Sequence, residues 1–194
     1  MGKPRITAST SRARVRYGST MRILGVDPGL VNTGYAVIEQ TGGRLQAVEG
    51  GVITTKSADP LPERLHTIFG DIREVIARLR PDAMAIEDLH SRAAFVKTAI
   101  LMGHARGVVV MAAGEAGVPV FDYQPARAKN IVTGSGRADK DQIRAALAAH
   151  LGSPDIARNE HVADAFSIAL CHALISDSPA WAAARNATAA GKTK

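Results

Sequence analysis

The stretch MRILGVDPGLVNTGYAVIEQ, residues Met21 to Gln40, decides the fold that we predict for this chain. Two apolar runs flank a Pro-Gly break, a pattern typical of a β-hairpin. Asp27 stands at the end of the first run, where the turn begins. An acid fits poorly inside an apolar strand, so Asp27 either shapes an Asp-Pro-Gly turn or belongs to a functional site. Further acids at the same edge of the sheet would favour the second interpretation.

Strands and helices alternate along the rest of the chain. A third strand is predicted at 45–55, with a bulge or bend at Gly50 and Gly51, and two more strands at 83–88 and 118–122. Helical spacing of apolar residues predicts five helices, at 60–80, 92–117, 125–132, 139–151 and 159–175. This order indicates an α/β domain with a mixed five-stranded sheet and helices on both faces.

Composition indicates one domain between two polar ends. The 194 residues, 46% of them hydrophobic, suit a domain at 21–176, a basic and disordered arm at 1–20 and a flexible tail at 177–194. The net charge of +6 comes from those ends, because residues 21–176 alone carry −1. No apolar run reaches the roughly 18 residues of a membrane span, and the single cysteine, Cys171, suits a reducing cytosol. We therefore expect a cytoplasmic protein without membrane contact.

Acids recur at two further places. Glu87 and Asp88 end the apolar strand at 83–88, and alternation lets one of them face Asp27. His161 and Asp164 are three residues apart near the start of the last helix, so they share a face. Such polar groups are costly to bury unless they are paired or bound to metal. The alternative is a capping histidine and a first-turn acid stabilised by the helix dipole.

Asp27, Glu87, His161 and Asp164 can converge on one site. Three carboxylates at close range repel one another, so their clustering calls for cations. Oxygen-rich ligation favours Mg²⁺ or Mn²⁺, and an imidazole is somewhat friendlier to manganese. Two such ions about 4 Å apart suit in-line hydrolysis of a phosphodiester.

Five motifs in chain order resemble a known family: LGVDPG, AIED, ILMGHARGVVV, KNIVTGSGRADKDQI and HVADAFSIAL. Over residues 21–176 the chain resembles the RuvC family of Holliday-junction resolvases. This resemblance implies a ribonuclease-H-like fold and Mg²⁺-dependent paired nicking of four-way DNA junctions in homologous recombination and repair. It also implies a homodimer and cooperation with the RuvA and RuvB branch-migration proteins. From the donor set we expect two ions per site, with Mn²⁺ as a substitute for Mg²⁺.

The resemblance assigns catalytic and metal-binding roles by position. Asp27 matches the first-strand acid of the family, Glu87 the second acid, and Asp164 the acid of the final helix. His161 falls where some members have aspartate and others histidine. Whether this imidazole binds metal or helps to deprotonate water is left open by the sequence.

DNA-binding roles follow in the same way. Lys129 and Lys140 match basic positions implicated in handling DNA, and Arg137 ends the glycine-containing loop between them. Many members have an aromatic residue three positions after the strand acid, which is thought to stack on opened bases. This chain has His90 there, with less area to stack. Phe95 is an alternative stacking residue whose simpler role is a helix contact.

Symmetric nicks also require two sites related by a two-fold axis, which independently predicts a homodimer. The stretch 99–116 is apolar on too many sides for a surface helix, so we expect it at the interface.

Three other functions compete with the resolvase interpretation. The Asp-Pro-Gly hairpin also resembles the first phosphate motif of actin-like ATPases and sugar kinases, although those need two lobes. A non-catalytic junction-binding protein could keep the fold. A related nuclease could act on other branched or hybrid nucleic acids.

Overall fold

A computed structural model of the chain describes residues 20–88, 96–152 and 158–176, with the side chains of residues 96 and 97 left out. Within these ranges the elements follow in the order β1 (Met21–Asp27), β2 (Asn32–Thr41), β3 (Arg44–Thr54), α1 (Leu61–Leu79), β4 (Ala83–Glu87), α2 (Val96–Glu115), β5 (Val120–Tyr123), α3 (Pro125–Thr133), α4 (Lys140–Leu151) and α5 (Glu160–Ser176). The predicted elements are confirmed, with bounds that shift by a few residues.

The five strands form one mixed sheet in the order β3-β2-β1-β4-β5. The pairs β1–β2 and β2–β3 are antiparallel, whereas β1–β4 and β4–β5 are parallel. Val26 of β1 pairs with Ile86 of β4. Asp27 and Glu87, which follow these two residues, therefore end neighbouring parallel strands at the same edge of the sheet.

Successive residues of the inner strands alternate between two apolar cores. Ile23 and Ala85 belong to the core beneath α3, α4 and α5, whereas Leu24 belongs to the core beneath α1 and α2. Asp27 and Glu87 stand an even number of residues beyond Ile23 and Ala85, so they belong to the α5 face. The predicted arrangement of helices on both faces is confirmed.

Helix α5 lies very close to the first hairpin because two glycines face it. A Cβ atom on Gly25 would lie 2.1 Å from the backbone oxygen of Ala165, and one on Gly34 would lie 2.1 Å from that of His161. These separations leave no room for a side chain. The missing side chains on β1 and β2 therefore bring the first turns of α5 directly over the end of β1.

The predicted bulge at Gly50 and Gly51 is wrong. The register of β2 and β3 shifts between Val37 and Ile38, which pair with Glu49 and Ala47, so Val48 is the extra residue. Both glycines continue the ladder, opposite residues 36 and 35. They are small for a packing reason, since a Cβ atom on Gly50 would lie 2.8 Å from the Phe166 ring.

Two further observations concern apolar side chains. Cys171 is a free, fully buried residue of α5, where it acts as a small core side chain. Across the described ranges, we find no helix with the length and apolar character needed to cross a membrane.

Substitution of Gly25 tests the close packing of α5. Gly25→Ala is expected to lower the free energy of unfolding by about 3 kcal/mol, because the new methyl group meets a backbone oxygen that cannot rotate away. Urea denaturation followed by circular dichroism measures the change. Gly70→Ala, at an α1 position with no heavy atom within 4 Å of the added methyl group, is the control and should be neutral or stabilising. Equal urea midpoints for Gly25→Ala and the wild type would contradict the packing.

Candidate active site

The loop after Asp27 is fixed from two directions. The Thr33 hydroxyl donates to the Gly29 carbonyl at 2.6 Å. The Leu30 carbonyl accepts from Thr55 Oγ1 and, at 2.9 Å, from Arg64 Nη2 of α1. Helix α1 packs on the far face of the sheet, so Arg64 reaches the loop from the side opposite α5. These bonds restrict the backbone directly after the first acid.

Asp27, Glu87 and Asp164 form an acidic cleft where β1, β4 and α5 meet. All three side chains are partly buried. Burial, followed by the charges of Asp27 and Asp164, raises the pKa of Glu87 to about 7. Burial, followed by the charge of Asp27, raises the pKa of Asp164 to about 6. The cleft therefore disfavours three simultaneous negative charges.

His161 contacts the first of these acids. Its Nδ1 atom lies 3.1 Å from Asp27 Oδ2, and its side chain is 38% exposed. Burial raises the pKa of Asp27, although this hydrogen bond opposes the shift. When Nδ1 donates to Asp27, the lone pair of the imidazole resides on Nε2. The side-chain oxygen of Asn159 accepts from the backbone N–H groups of His161 and Val162, so Asn159 is the N-cap of α5.

Alternation along β4 answers which of its two terminal acids belongs to the cleft. Glu87 lies on the α5 face and is influenced by the charges of Asp27 and Asp164. Asp88 follows on the opposite face, and its backbone N–H donates to Tyr123. The structure therefore brings together Asp27, Glu87, His161 and Asp164.

The donor set of the cleft suits a hard cation. Among the residues that the structure describes, no three His, Cys, Asp or Glu side chains are gathered closely enough to hold a metal ion as they stand. Carboxylate oxygens and one imidazole are nevertheless ligands that Mg²⁺ or Mn²⁺ accepts. The raised pKa values of Glu87 and Asp164 show the electrostatic cost that a cation would relieve.

Basic side chains border the cleft on the side of α3 and α4. Lys129 is partly buried, and its charge lowers the pKa values of both Glu87 and Asp164. A cavity of about 220 Å³ continues from Asp164 past Lys129 and Lys140. The structure thus places Lys129 close to two of the acids and Lys140 in the cavity that Asp164 also lines.

The other two predicted DNA contacts are Arg137 and His90. Arg137 lies exposed in the turn after α3 and does not line this cavity, so its contact with DNA stays a prediction. His90 and its alternative Phe95 lie outside the described residues, as do 1–19 and the tail at 177–194.

Sequence reasoning missed three side chains around the site. Arg64 has no signal beyond its place in α1, because its acceptor, Leu30, is distant in the chain. Arg144 and Glu160 line the cavity next to the lysines. The sequence did offer one indication for Arg144: it follows Lys140 by four residues on one helix, so the two basic side chains lie on the same face.

Comparison with known proteins gives a consistent result. The family model described as crossover junction endodeoxyribonuclease RuvC matches residues 23–172. A protein of that description from Rhodopirellula baltica is 47% identical over 170 residues, which cover 88% of this chain and 96% of the relative. One from Chloroflexus aggregans is 42% identical over 153 residues, covering 79% and 93%.

Solved structures agree. Thermus thermophilus RuvC in complex with a Holliday junction substrate has a TM-score of 0.75 and 35% identity, over 80% of this chain and 94% of that chain. The yeast mitochondrial Holliday junction resolvase has a TM-score of 0.58 at 13% identity, over 81% and 79%, and thus shares the fold. The predicted ribonuclease-H-like architecture is confirmed.

The raised pKa of Glu87 predicts how stability depends on pH in metal-free buffer. The folded protein holds the Glu87 proton up to about pH 7, whereas the unfolded chain releases it near its ordinary value of 4.5. The stability cost of ionised Glu87 is therefore absent below about pH 4.5 and complete above about pH 7. Chemical denaturation of wild type and Glu87→Gln at intervals over this range should show the variant gaining up to about 3 kcal/mol relative to wild type as the pH rises. Glu115→Gln, at an exposed ion pair with Arg73, is the control. A difference between wild type and Glu87→Gln that is independent of pH would contradict the prediction.

Proposed function

The chain belongs to the RuvC family of crossover junction endodeoxyribonucleases, and on that premise we propose that it resolves Holliday junctions by paired, divalent-cation-dependent hydrolysis of phosphodiester bonds. The observation that carries the proposal is the convergence of Asp27, Glu87 and Asp164 in one partly buried cleft beside Lys129. The Thermus thermophilus relative solved with a Holliday junction supports the choice of substrate. The process served is homologous recombination and DNA repair.

Asp27, Glu87 and Asp164 are the proposed metal ligands, and His161 is either a fourth ligand or a base. We propose Mg²⁺ as the cation, with two ions per site and Mn²⁺ as a substitute, because carboxylate oxygens dominate the donor set. Such ions, when bound, lower the pKa of water and stabilise a leaving oxygen.

The remaining chemistry belongs to side chains of this chain. With Nδ1 held by Asp27, His161 keeps the lone pair of Nε2 available to accept a proton from the attacking water. The Lys129 ammonium lies close enough to influence both Glu87 and Asp164, so it is placed to offset charge that develops on the scissile phosphate.

DNA is proposed to cross the cleft on the side of α3 and α4. Lys140 and Lys129 would contact phosphates and give a salt-dependent affinity. Arg137 is proposed to contact the same strand from its exposed turn. His90 is proposed to stack on an opened base, with less area than the aromatic residue of many members.

A homodimer is the proposed assembly, because paired nicks require two symmetric sites. Helix α2 supports this proposal, since its large apolar residues Ile100 and Met111 are 57% and 59% exposed. RuvA and RuvB are the proposed partners, and the cytoplasm is the proposed location.

The three alternative functions are supported to different degrees. Family membership replaces the actin-like ATPase interpretation. A junction-binding protein without activity would not need the costly acidic cleft, so the three raised pKa values favour catalysis. A nuclease for hybrid or other branched nucleic acids would differ from a resolvase in its preferred substrate, which the cleavage assays compare.

Cleavage assays test the proposed activity. Wild type with Mg²⁺ should nick a four-way junction at symmetric positions and leave an RNA–DNA hybrid and linear duplex intact. Asp27→Asn should lower the single-turnover rate by at least about 100-fold while still binding the junction, because it loses a charged oxygen ligand. Asp71→Asn, an exposed acid of α1, should cleave at the wild-type rate. Efficient cleavage by Asp27→Asn, or a preference for the hybrid, would overturn the assignment.

Sedimentation tests the proposed dimer. Wild type should sediment as a dimer at about micromolar concentration, and Met111→Glu should shift it towards monomer, because a carboxylate is costly to desolvate at an apolar interface. Val48→Glu places the same charge on β3 at a residue that is 41% exposed, and it should remain dimeric. A wild type that is monomeric with and without junction would contradict the proposal.

A further inference from the structure

The cavity beside the acidic cleft carries an unusual set of charges. It lies between α3, α4 and α5, and the basic side chains of Lys129, Lys140 and Arg144 line it. Asp164 joins it to the acidic cleft, and Glu160 stands on the same helix one turn earlier. With a volume of about 220 Å³, the cavity has room for a phosphodiester group with part of its sugar.

The position of Lys140 favours an anion at this place. Lys140 is the first residue of α4, where the helix dipole disfavours a cation and favours a negative ligand. Arg144 lies on the same side one turn further along. Asp139, which also lines the cavity, is already used as the N-cap, where it accepts from the Gln142 backbone N–H at 2.8 Å.

Glu160 supplies that anion in the free protein. Its Oε2 atom lies 2.7 Å from Lys140 Nζ, and the charge of Arg144 also acts on it. Both partners are largely exposed, at 65% for Lys140 and 56% for Glu160, so the pair is weak enough for a competing anion to open it. A compact ammonium held at 2.7 Å by a carboxylate has fewer donors left for DNA.

We propose that Glu160 is an internal substitute for a substrate phosphate, which the phosphate next to the cleaved one displaces from Lys140 when the junction binds. The inference rests on the proposed junction-cleaving function and adds a regulation of the same site. Glu160 keeps the Lys140 ammonium paired while no DNA is bound, and because phosphate must displace it, the exchange lowers the affinity of every strand that uses this lysine.

Glu160 could also weaken DNA binding by simple electrostatic repulsion of the phosphates. Repulsion and displacement differ in whether the effect of Glu160 depends on Lys140. Repulsion acts whether or not a lysine is present. Displacement requires the lysine, because Glu160 competes with phosphate only by occupying that ammonium. A double-mutant cycle between Glu160 and Lys140 separates them.

The experiment measures junction binding by metal-free full-length protein over a series of salt concentrations. Glu160→Gln should bind about two- to fivefold more tightly than wild type, which is the range expected for releasing an exposed ion pair. Its plot of log affinity against log salt should be steeper by up to about 0.9, because in wild type salt also weakens the competing pair of Lys140 and Glu160 and so offsets part of the loss of phosphate binding. In a Lys140→Gln background, Glu160→Gln should give no gain.

Asp141→Asn is the matched control. Asp141 lies in the first turn of α4 beside Lys140, is 93% exposed, and pairs with Arg144 at 3.4 Å, but it does not line the cavity. This variant removes the same charge and should keep the wild-type salt slope. Thermal denaturation of each variant confirms an intact fold.

Two results would overturn the inference: an unchanged affinity and slope for Glu160→Gln, or an equal gain with and without Lys140. Junction binding and Mg²⁺-dependent cleavage by wild type are measured on the same preparation. If wild type binds and cleaves the junction while Glu160→Gln behaves like wild type, the inference alone fails. If wild type neither binds nor cleaves, the proposed function fails and the inference fails with it.

Discussion

The contact between α5 and the first hairpin is the constraint on which the site depends. Gly25 and Gly34 allow the backbone of α5 to lie directly on β1 and β2. Only at this separation does His161 reach Asp27, at 3.1 Å. Most of the helix beyond Asp164 is buried, so its position is fixed by apolar packing and not by the polar contacts of the site. The apolar core thus sets the geometry of the charged cleft.

Holding three acids in one partly buried cleft costs free energy. This cost is confined to a few side chains at one edge of the sheet. Burial and mutual repulsion raise the pKa values of all three acids in the cleft. Lys129 offsets part of this charge for Glu87 and Asp164. On the other side of β1, Arg64 and Thr55 hold the loop that follows Asp27. Side chains that repel one another are therefore held by backbone that is firmly bonded.

Prediction from the sequence succeeded where the signal is local. Apolar alternation located β1 and β4, and their last residues, Asp27 and Glu87, meet because parallel strands end at one edge. Strand alternation alone leaves the choice between Glu87 and Asp88 open, and the core contacts along β4 decide it in favour of Glu87. The family motifs named the same four residues and the lysines.

Prediction from the sequence failed where a residue's role depends on a partner that is distant in the chain. Gly50 was interpreted as a bulge, but its absent side chain makes room for Phe166 of the last helix. The pair of Lys140 and Glu160 joins two helices whose relative position no local pattern specifies. Packing partners and ion pairs between elements need the three-dimensional arrangement, because periodicity describes only one element at a time.

The order of the site residues along the chain also has a consequence for biosynthesis. Asp27 and Glu87 belong to the first and fourth strands, whereas His161 and Asp164 come from the last helix. A nascent polypeptide on the ribosome therefore has the two strand acids long before it has their helical partners. The glycine-lined surface of the hairpin has no cover until α5 emerges, so completion of the core and assembly of the four-residue constellation occur together, only after α5 has been synthesised.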